Sequence, residues 1–282
     1  MTEQIPFSKY QGLGNDFILL DNRHQQDLLL TPAQAKFWCD RHFGIGADGV
    51  IFLLQDPDGQ WRMRLINRDG SEGEMCGNGI RCLAKFMQSL GIPTEGSQYA
   101  VQTGAGLMHL DLSADGLVTV DMGEPALLGQ QIPTTLVPAD TKAIAVPLVV
   151  ADQTWTVTLV SMGNPHCVTF VSDLEQVNYT AIGAQFEHHP VFPNRTNTEF
   201  IEVLDRHTLK MRVWERGAGA TLACGTGACA SVVAGVLNNL CDRQCEVQLL
   251  GGSLHIHWLE ATNHVLMTGG ADLVFQGVIP VR

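Results

Sequence analysis

Apolar positions along this chain repeat with two periods. After Cys76 they fall at Ile80, Leu83, Ala84, Met87 and Leu90, the spacing that lines one face of a helix, and Gly91 and Pro93 end it. The same stripe follows Cys224, through Cys229, Val232, Val233, Val236, Leu237 and Leu240. Thr31-Pro32 reads as a helix start, with a hydroxyl cap followed by proline at the first helical position. Elsewhere the runs are alternating or β-branched: Trp61–Ile66, Leu117–Met122, Trp155–Val160, Val168–Val171, Thr208–Val213, Ser253–Trp258 and a closing Leu273–Val281. The pattern predicts an α+β fold with mostly antiparallel sheets, each wrapped around a central helix.

The chain also resembles itself. Gly14-Asn15 recurs as Gly163-Asn164, and Thr31 and Phe37 recur as Thr180 and Phe186, all at an offset of 149. Cys76-Gly-Asn-Gly returns as Cys224-Gly-Thr-Gly at 148, and Val101-Gln102 as Val247-Gln248 at 146. Four matches in one order, with a slow one-way drift, argue for a duplicated unit. We therefore expect two pseudo-symmetric halves, 1–124 and 125–269. The join is expected in 124–142, which Pro125, Gly129, Pro133 and Pro138 punctuate.

Composition narrows the function. At 282 residues, roughly three-quarters of the unfolded surface should be buried on folding. Apolar residues make up 45% and charged ones 16%, which excludes a disordered chain. With 17 basic against 29 acidic side chains the net charge is −12, so a nucleic acid or an anionic membrane would be repelled. No apolar run approaches a membrane span, and the N-terminus lacks a basic-then-apolar signal layout, so the chain is expected to be cytoplasmic. In that compartment its eight cysteines read as reduced thiols, most of them small buried hydrophobes, and none has zinc-ribbon spacing.

Cys76 and Cys224 differ from the rest because each precedes Gly-x-Gly at a helix start. Such a start offers unpaired N–H groups and roughly half a positive charge, which lowers a thiol pKa from its free value of ~8.5 and holds a carboxylate. Two halves meeting at a cleft would aim the two thiols at one point. That arrangement suits inversion of a carbon stereocentre, where one base removes a proton from one face and one acid returns a proton to the other. The helix starts can stabilise the carbanion without a metal or an organic cofactor. None of the five lysines has a cofactor-lysine context, and no dinucleotide or phosphate-loop motif occurs.

The segments GLGNDF, NRDGSEGEMCGNGIRC, SMGNPHCV and WERGAGATLACGTGACA, in that order, resemble the diaminopimelate epimerase family, from about residue 7 to the C-terminus. The cysteine motif alone resembles the wider group of proline racemases and phenazine-biosynthesis-like isomerases. The resemblance implies that Cys76 and Cys224 exchange acid and base roles, with His166 and Glu215 assisting. It implies that Asn15, Asn67, Asn164, Asn197, Glu215 and Arg216 read the polar ends of a small-molecule substrate. Gly77, Asn78, Gly225 and Thr226 would cradle its reacting carboxylate. It further implies no metal and no cofactor, a homodimer, and a last strand (270–282) that returns to the first half. This chain departs from some members at Gly49, where they carry Gln, and at Ala220, where they carry Glu.

Other readings compete. A Cys224–His166 dyad would make a cysteine hydrolase, which leaves Cys76 and the repeat unexplained. A racemase of another amino acid, and a non-catalytic amino-acid binding protein, are the remaining alternatives. Taken singly, each asparagine reads as a turn or cap and His166 as a satisfied core histidine. His255 and His257 read as one polar strand face, and His188-His189 as a solvated loop.

Overall fold

The computed structural model describes residues 4–25 and 27–280. Its contacts divide the chain into two compact units. One runs up to Val120 and includes the residues from Gly269 onward; the other is Asp121–Thr268.

The first unit contains β1 (Gln4–Gly12), β2 (Asn15–Asp21), α1 (Pro32–Cys39), β3 (Gly49–Gln55), β4 (Trp61–Asn67), β5 (Glu72–Gly73), α2 (Gly77–Ser89), β6 (Gln98–Thr103), β7 (Gly106–Leu112) and β8 (Val118–Asp121). Neighbouring strands in its sheet are β1, β2, β3, β4, β6, β7 and β8; β2–β3 and β4–β6 are parallel and the rest antiparallel. The chain's last strand, Asp272–Pro280, lies antiparallel on β1. It matches the expected Leu273–Val281 except for Val281, which lies outside the described residues.

The second unit contains β9 (Val146–Val150), β10 (Gln153–Ser161), β11 (Pro165–Val171), α3 (Tyr179–Glu187), β12 (Asn197–Asp205), β13 (Thr208–Glu215), β14 (Gly219–Ala220), α4 (Gly225–Leu237), β15 (Gln244–Leu249), β16 (Gly252–Trp258) and β17 (Val265–Gly269). Its order is β10, β11, β12, β13, β15, β16, β17, with β11–β12 and β13–β15 parallel. Strand β9 lies antiparallel on β10. The pairing scheme of the first unit is thus repeated strand for strand. Segment 124–142 packs within the second unit, where Ala126 and Ser161 exchange backbone hydrogen bonds and Gly129 donates to Thr141.

Each sheet is buried on both faces, so its central strands read as continuous apolar runs. On β2 and β3, Ile18, Leu20, Val50 and Phe52 pack with Ala35 and Trp38 of α1. Phe17 and Ile51 point the other way, toward Gly79 of α2. In the second unit Phe186 of α3 stacks edge to face with Trp155 and Phe200, which also meet edge to face. Thr31 caps α1 in a reciprocal capping box with Gln34, as its sequence predicts.

Helices α2 and α4 are each 13 residues long and enclosed almost all round, beyond the one apolar face that their stripes define. Arg81 shows the consequence. It lies on α2 with no exposed surface, and its guanidinium donates to Gly77 O, Asn78 Oδ1 and Gly270 O. Arg81→Ala should cost about 3 kcal/mol or more, because it opens a cavity and strands buried acceptors. The expected reading is a lower urea midpoint at unchanged m-value.

Candidate active site

Both singled-out thiols are N-caps. Cys76 begins α2 and Cys224 begins α4, each with extended backbone. In the first unit Cys76 Sγ lies 3.5 Å from Asn15 Oδ1, which also accepts from Asn78 Nδ2 at 3.3 Å. The Asn15 amide is itself held, donating to Asp48 Oδ2 at 2.7 Å. Behind it Arg41 bridges Asp48 and Asp16, and Lys9 pairs with Asp16 at 2.8 Å. Burial alone would raise the Asp16 pKa; the Arg41 and Lys9 bonds outweigh it and hold the carboxyl at about 2. Asn67 ends β4 and donates to Ser71 Oγ, and Gly77 opens α2 with its carbonyl held by Arg81.

In the second unit Cys224 Sγ accepts from the Gly227 N–H at 3.4 Å and meets Thr226 Oγ1 at 3.5 Å. Asn164 Nδ2 donates to Thr226 Oγ1 at 3.2 Å, and Asn164 Oδ1 faces His166 Nε2 at 3.0 Å. His166 is fully buried, and its Nδ1 lies 2.7 Å from Glu199 Oε1. Glu215 accepts from the Thr221 hydroxyl, and its charge acts on the Cys224 thiol. Cys224, Thr226, Asn164, His166 and Glu215 therefore form one cluster, with Gly225 as the first residue of α4.

One expectation is overturned here. A helix start was expected to lower the thiol pKa, yet the Cys224 pKa lies well above the ordinary thiol value. Burial raises it, and the Glu215 and Glu199 carboxyls raise it further, outweighing the hydrogen bonds from Thr226 and Gly227. Burial likewise raises the Glu215 pKa above its ordinary value.

Asn197 and Arg216 belong to a supporting frame. Asn197 is 4% exposed; it donates to Pro165 O at 2.8 Å and accepts from the Arg216 N–H at 2.9 Å, so both ends of its amide hold backbone. The Arg216 guanidinium reaches Asn194 O from an exposed position. Two carboxylates that sequence reasoning missed complete the frame. Glu199 holds His166, and buried Glu187 accepts from Trp214 Nε1 and the Gly217 N–H, fixing the turn that carries Glu215 and Arg216. Their only sequence signal is an acidic residue inside an apolar stretch.

Gly49 is hemmed in. A Cβ there would lie 3.0 Å from Ile66 O, so its departure from the family pattern fits a strand without room for a side chain. Ala220 is exposed on β14. His188 and His189 lie in the turn that follows α3, as expected, the first exposed and the second half-buried; His188 caps the helix through Ala184 O, and His189 bonds Val149 O. His255 is exposed and His257 half-buried on β16. All eight cysteines are thiols outside any disulfide, and no His, Cys, Asp or Glu cluster suited to a metal ion occurs among the described residues. No helix among them is long and apolar enough to cross a membrane.

The fold is one shared with solved epimerases and racemases. A hydroxyproline epimerase from Agrobacterium vitis, solved with bound trans-4-hydroxy-L-proline, superposes with a TM-score of 0.70 over 100% of this chain and 94% of its own, at 11% identity. Sequence carries the assignment further. The profile described as diaminopimelate epimerase matches residues 7–128 and 158–274. The diaminopimelate epimerase of Thermosynechococcus vestitus is 59% identical over 98% of this chain and 99% of its own length; that of a Synechocystis strain is 61% identical over 97% and 98%. The chain belongs to the diaminopimelate epimerase family.

Proposed function

We propose that this protein interconverts LL-2,6-diaminopimelate and meso-diaminopimelate, with Cys76 and Cys224 as the acid–base pair, and so serves lysine and peptidoglycan-precursor synthesis. The observation that carries this reading is the matched pair of N-capping thiols in a strand-for-strand repeat, Cys76 beside the Asn15 amide and Cys224 linked to the Asn164 amide through the Thr226 hydroxyl. One sulfur, as thiolate, takes the α-proton; the other, as thiol, delivers a proton to the opposite face. One proton leaves and one arrives, so no redox partner is consumed. The α-carboxylate sits on the N–H groups of Gly77, Asn78, Gly225 and Thr226, which stabilise charge as it develops. Asn15, Asn67, Asn164, Glu215 and Arg216 recognise the remaining amino and carboxyl groups, and Asn197 acts by holding the Arg216 backbone. Glu215 exchanges a proton with Cys224, while His166 reaches that thiol through Asn164 and Thr226. The protein acts in the cytoplasm as a homodimer, with the two repeat halves as its domains.

The hydrolase alternative fares worse on geometry. Its dyad needs a His166 nitrogen on Cys224, but the two ring nitrogens face Glu199 and Asn164. The deciding experiment is incubation with LL-diaminopimelate in deuterated water, followed by proton NMR. Loss of the α-proton signal with appearance of the meso isomer is the expected result. Conversion of proline instead, or retention of every α-proton, would refute the reading.

A further inference from the structure

The repeat supplies an internal control for the buried pair behind Cys224. In the first unit β2 and β3 run parallel with Phe17 opposite Gly49, and Ile51 lies two residues on. In the second, β11 and β12 run parallel with His166 opposite Asn197, and Glu199 lies two residues on. Phe17 therefore corresponds to His166, and Ile51 to Glu199. The central helices agree. A Cβ on Gly79 would meet Ile51 Cδ1 at 2.9 Å and Phe17 Cζ at 3.4 Å; a Cβ on Gly227 would meet Glu199 Oε1 at 2.7 Å and Cys224 Sγ at 3.2 Å. One scaffold thus backs one thiol with two hydrocarbons and the other with an acid and an imidazole.

The scaffold does not require the polar pair. Phe17 and Ile51 fill the same places in the sister unit at 2% and 0% exposure. A buried ion pair is often replaceable by well-packed hydrocarbon without loss of stability. Glu199 moreover has no exposed surface, and its Oε2 is without a hydrogen-bond partner among the described residues, which makes it costly to keep. What it does instead is hold one edge of the His166 ring, so that the other edge is turned onto Asn164. Asn164 in turn fixes the Thr226 hydroxyl beside Cys224 Sγ.

We propose that Glu199 is a positioning residue for Cys224, acting through His166, Asn164 and Thr226, and that this relay makes the two thiols chemically unequal. Its catalytic part rests on the epimerase reading above. The ionisable groups facing Cys224 are Glu215 from β13, Glu199 from β12 and, one step removed, His166 from β11; α4 contributes the Thr226 hydroxyl and the Gly227 N–H. Glu199→Gln keeps the shape and removes the charge. Without that charge Cys224 loses its proton at lower pH, and without the anchor Asn164 and Thr226 shift from place.

Two readouts separate this role from a structural one. The first is the 13Cβ shift of Cys224 against pH in cysteine-labelled protein, assigned with Cys224→Ser. Its midpoint should fall by about one unit in Glu199→Gln, the smaller end of what one nearby charge does. The second is turnover: kcat should drop at least tenfold, with KM within about twofold, and the pH profile should move to the acid side. The double change His166→Phe with Glu199→Ile, copying the sister unit, should fold with an undiminished Tm and turn over no faster than the single variant. An unmoved Cys224 midpoint, or a Glu199→Gln protein that fails to fold, would overturn the proposal. If the wild type turns over no diaminopimelate, the functional reading fails, and the thiol titration still decides the role of Glu199.

Discussion

Cys76→Ala and Cys224→Ala should each lower epimerisation by on the order of 10³-fold or more while leaving the fold intact. A positioned acid–base group contributes about 10²–10⁴-fold, and inversion needs one such group on each face of the carbon. Neither thiol can serve both faces, so the losses should be equally severe and not additive in the double variant. The folds should survive because Cys76 makes no side-chain cap bond and Cys224 makes a single one, to the Gly227 N–H, whose loss costs about 1 kcal/mol. Two traces test this: the α-proton NMR signal of LL-diaminopimelate in deuterated water, and the thermal unfolding curve. Near wild-type turnover in either variant would refute the two-thiol assignment. The buried Cys39 and Cys167, whose pKa values burial raises, are a control: as alanines they should cost packing and no more than a few-fold in rate.

Much of this architecture was legible because its signals are local. The apolar stripes after Cys76 and Cys224 mark their helices, and Thr31-Pro32 is a recognised start signal. The duplication showed because the motifs at Asn15 and Cys76 reappear intact at Asn164 and Cys224. What was not legible depends on burial and on register. Arg81 reads as a polar residue on the outer face of a helix; it is buried because the sheet closes around that helix. Glu199 stands 33 residues from His166, and only the parallel pairing of β11 with β12 brings them together. The pKa of Cys224 was misjudged for the same reason. The helix field is a local effect that sequence reveals, whereas desolvation and the Glu215 and Glu199 carboxyls are tertiary ones.

The repeat also permits one substitution to be compared at two equivalent places. Gly227→Ala should lower kcat/KM by about 10²-fold or more, and Gly79→Ala by markedly less. At Gly227 the new methyl would lie 2.7 Å from Glu199 Oε1 and 3.2 Å from Cys224 Sγ. The carboxylate has no room to retreat, because it is fully buried and tied to His166 at 2.7 Å. The strain must therefore move the thiol or break the relay, and a displacement of about 1 Å at a reacting group costs about 10²-fold. At Gly79 the closest atom is Ile51 Cδ1, the far end of a side chain with rotamer freedom, and the nearest Cys76 atom is Cβ at 3.4 Å. Overpacking there costs about 1–3 kcal/mol of stability but leaves the sulfur in place. Steady-state kinetics and denaturant midpoints on the two variants separate the cases. Equal losses of activity would mean that the two thiols tolerate displacement alike, and that the polar pair behind Cys224 has no bearing on its placement.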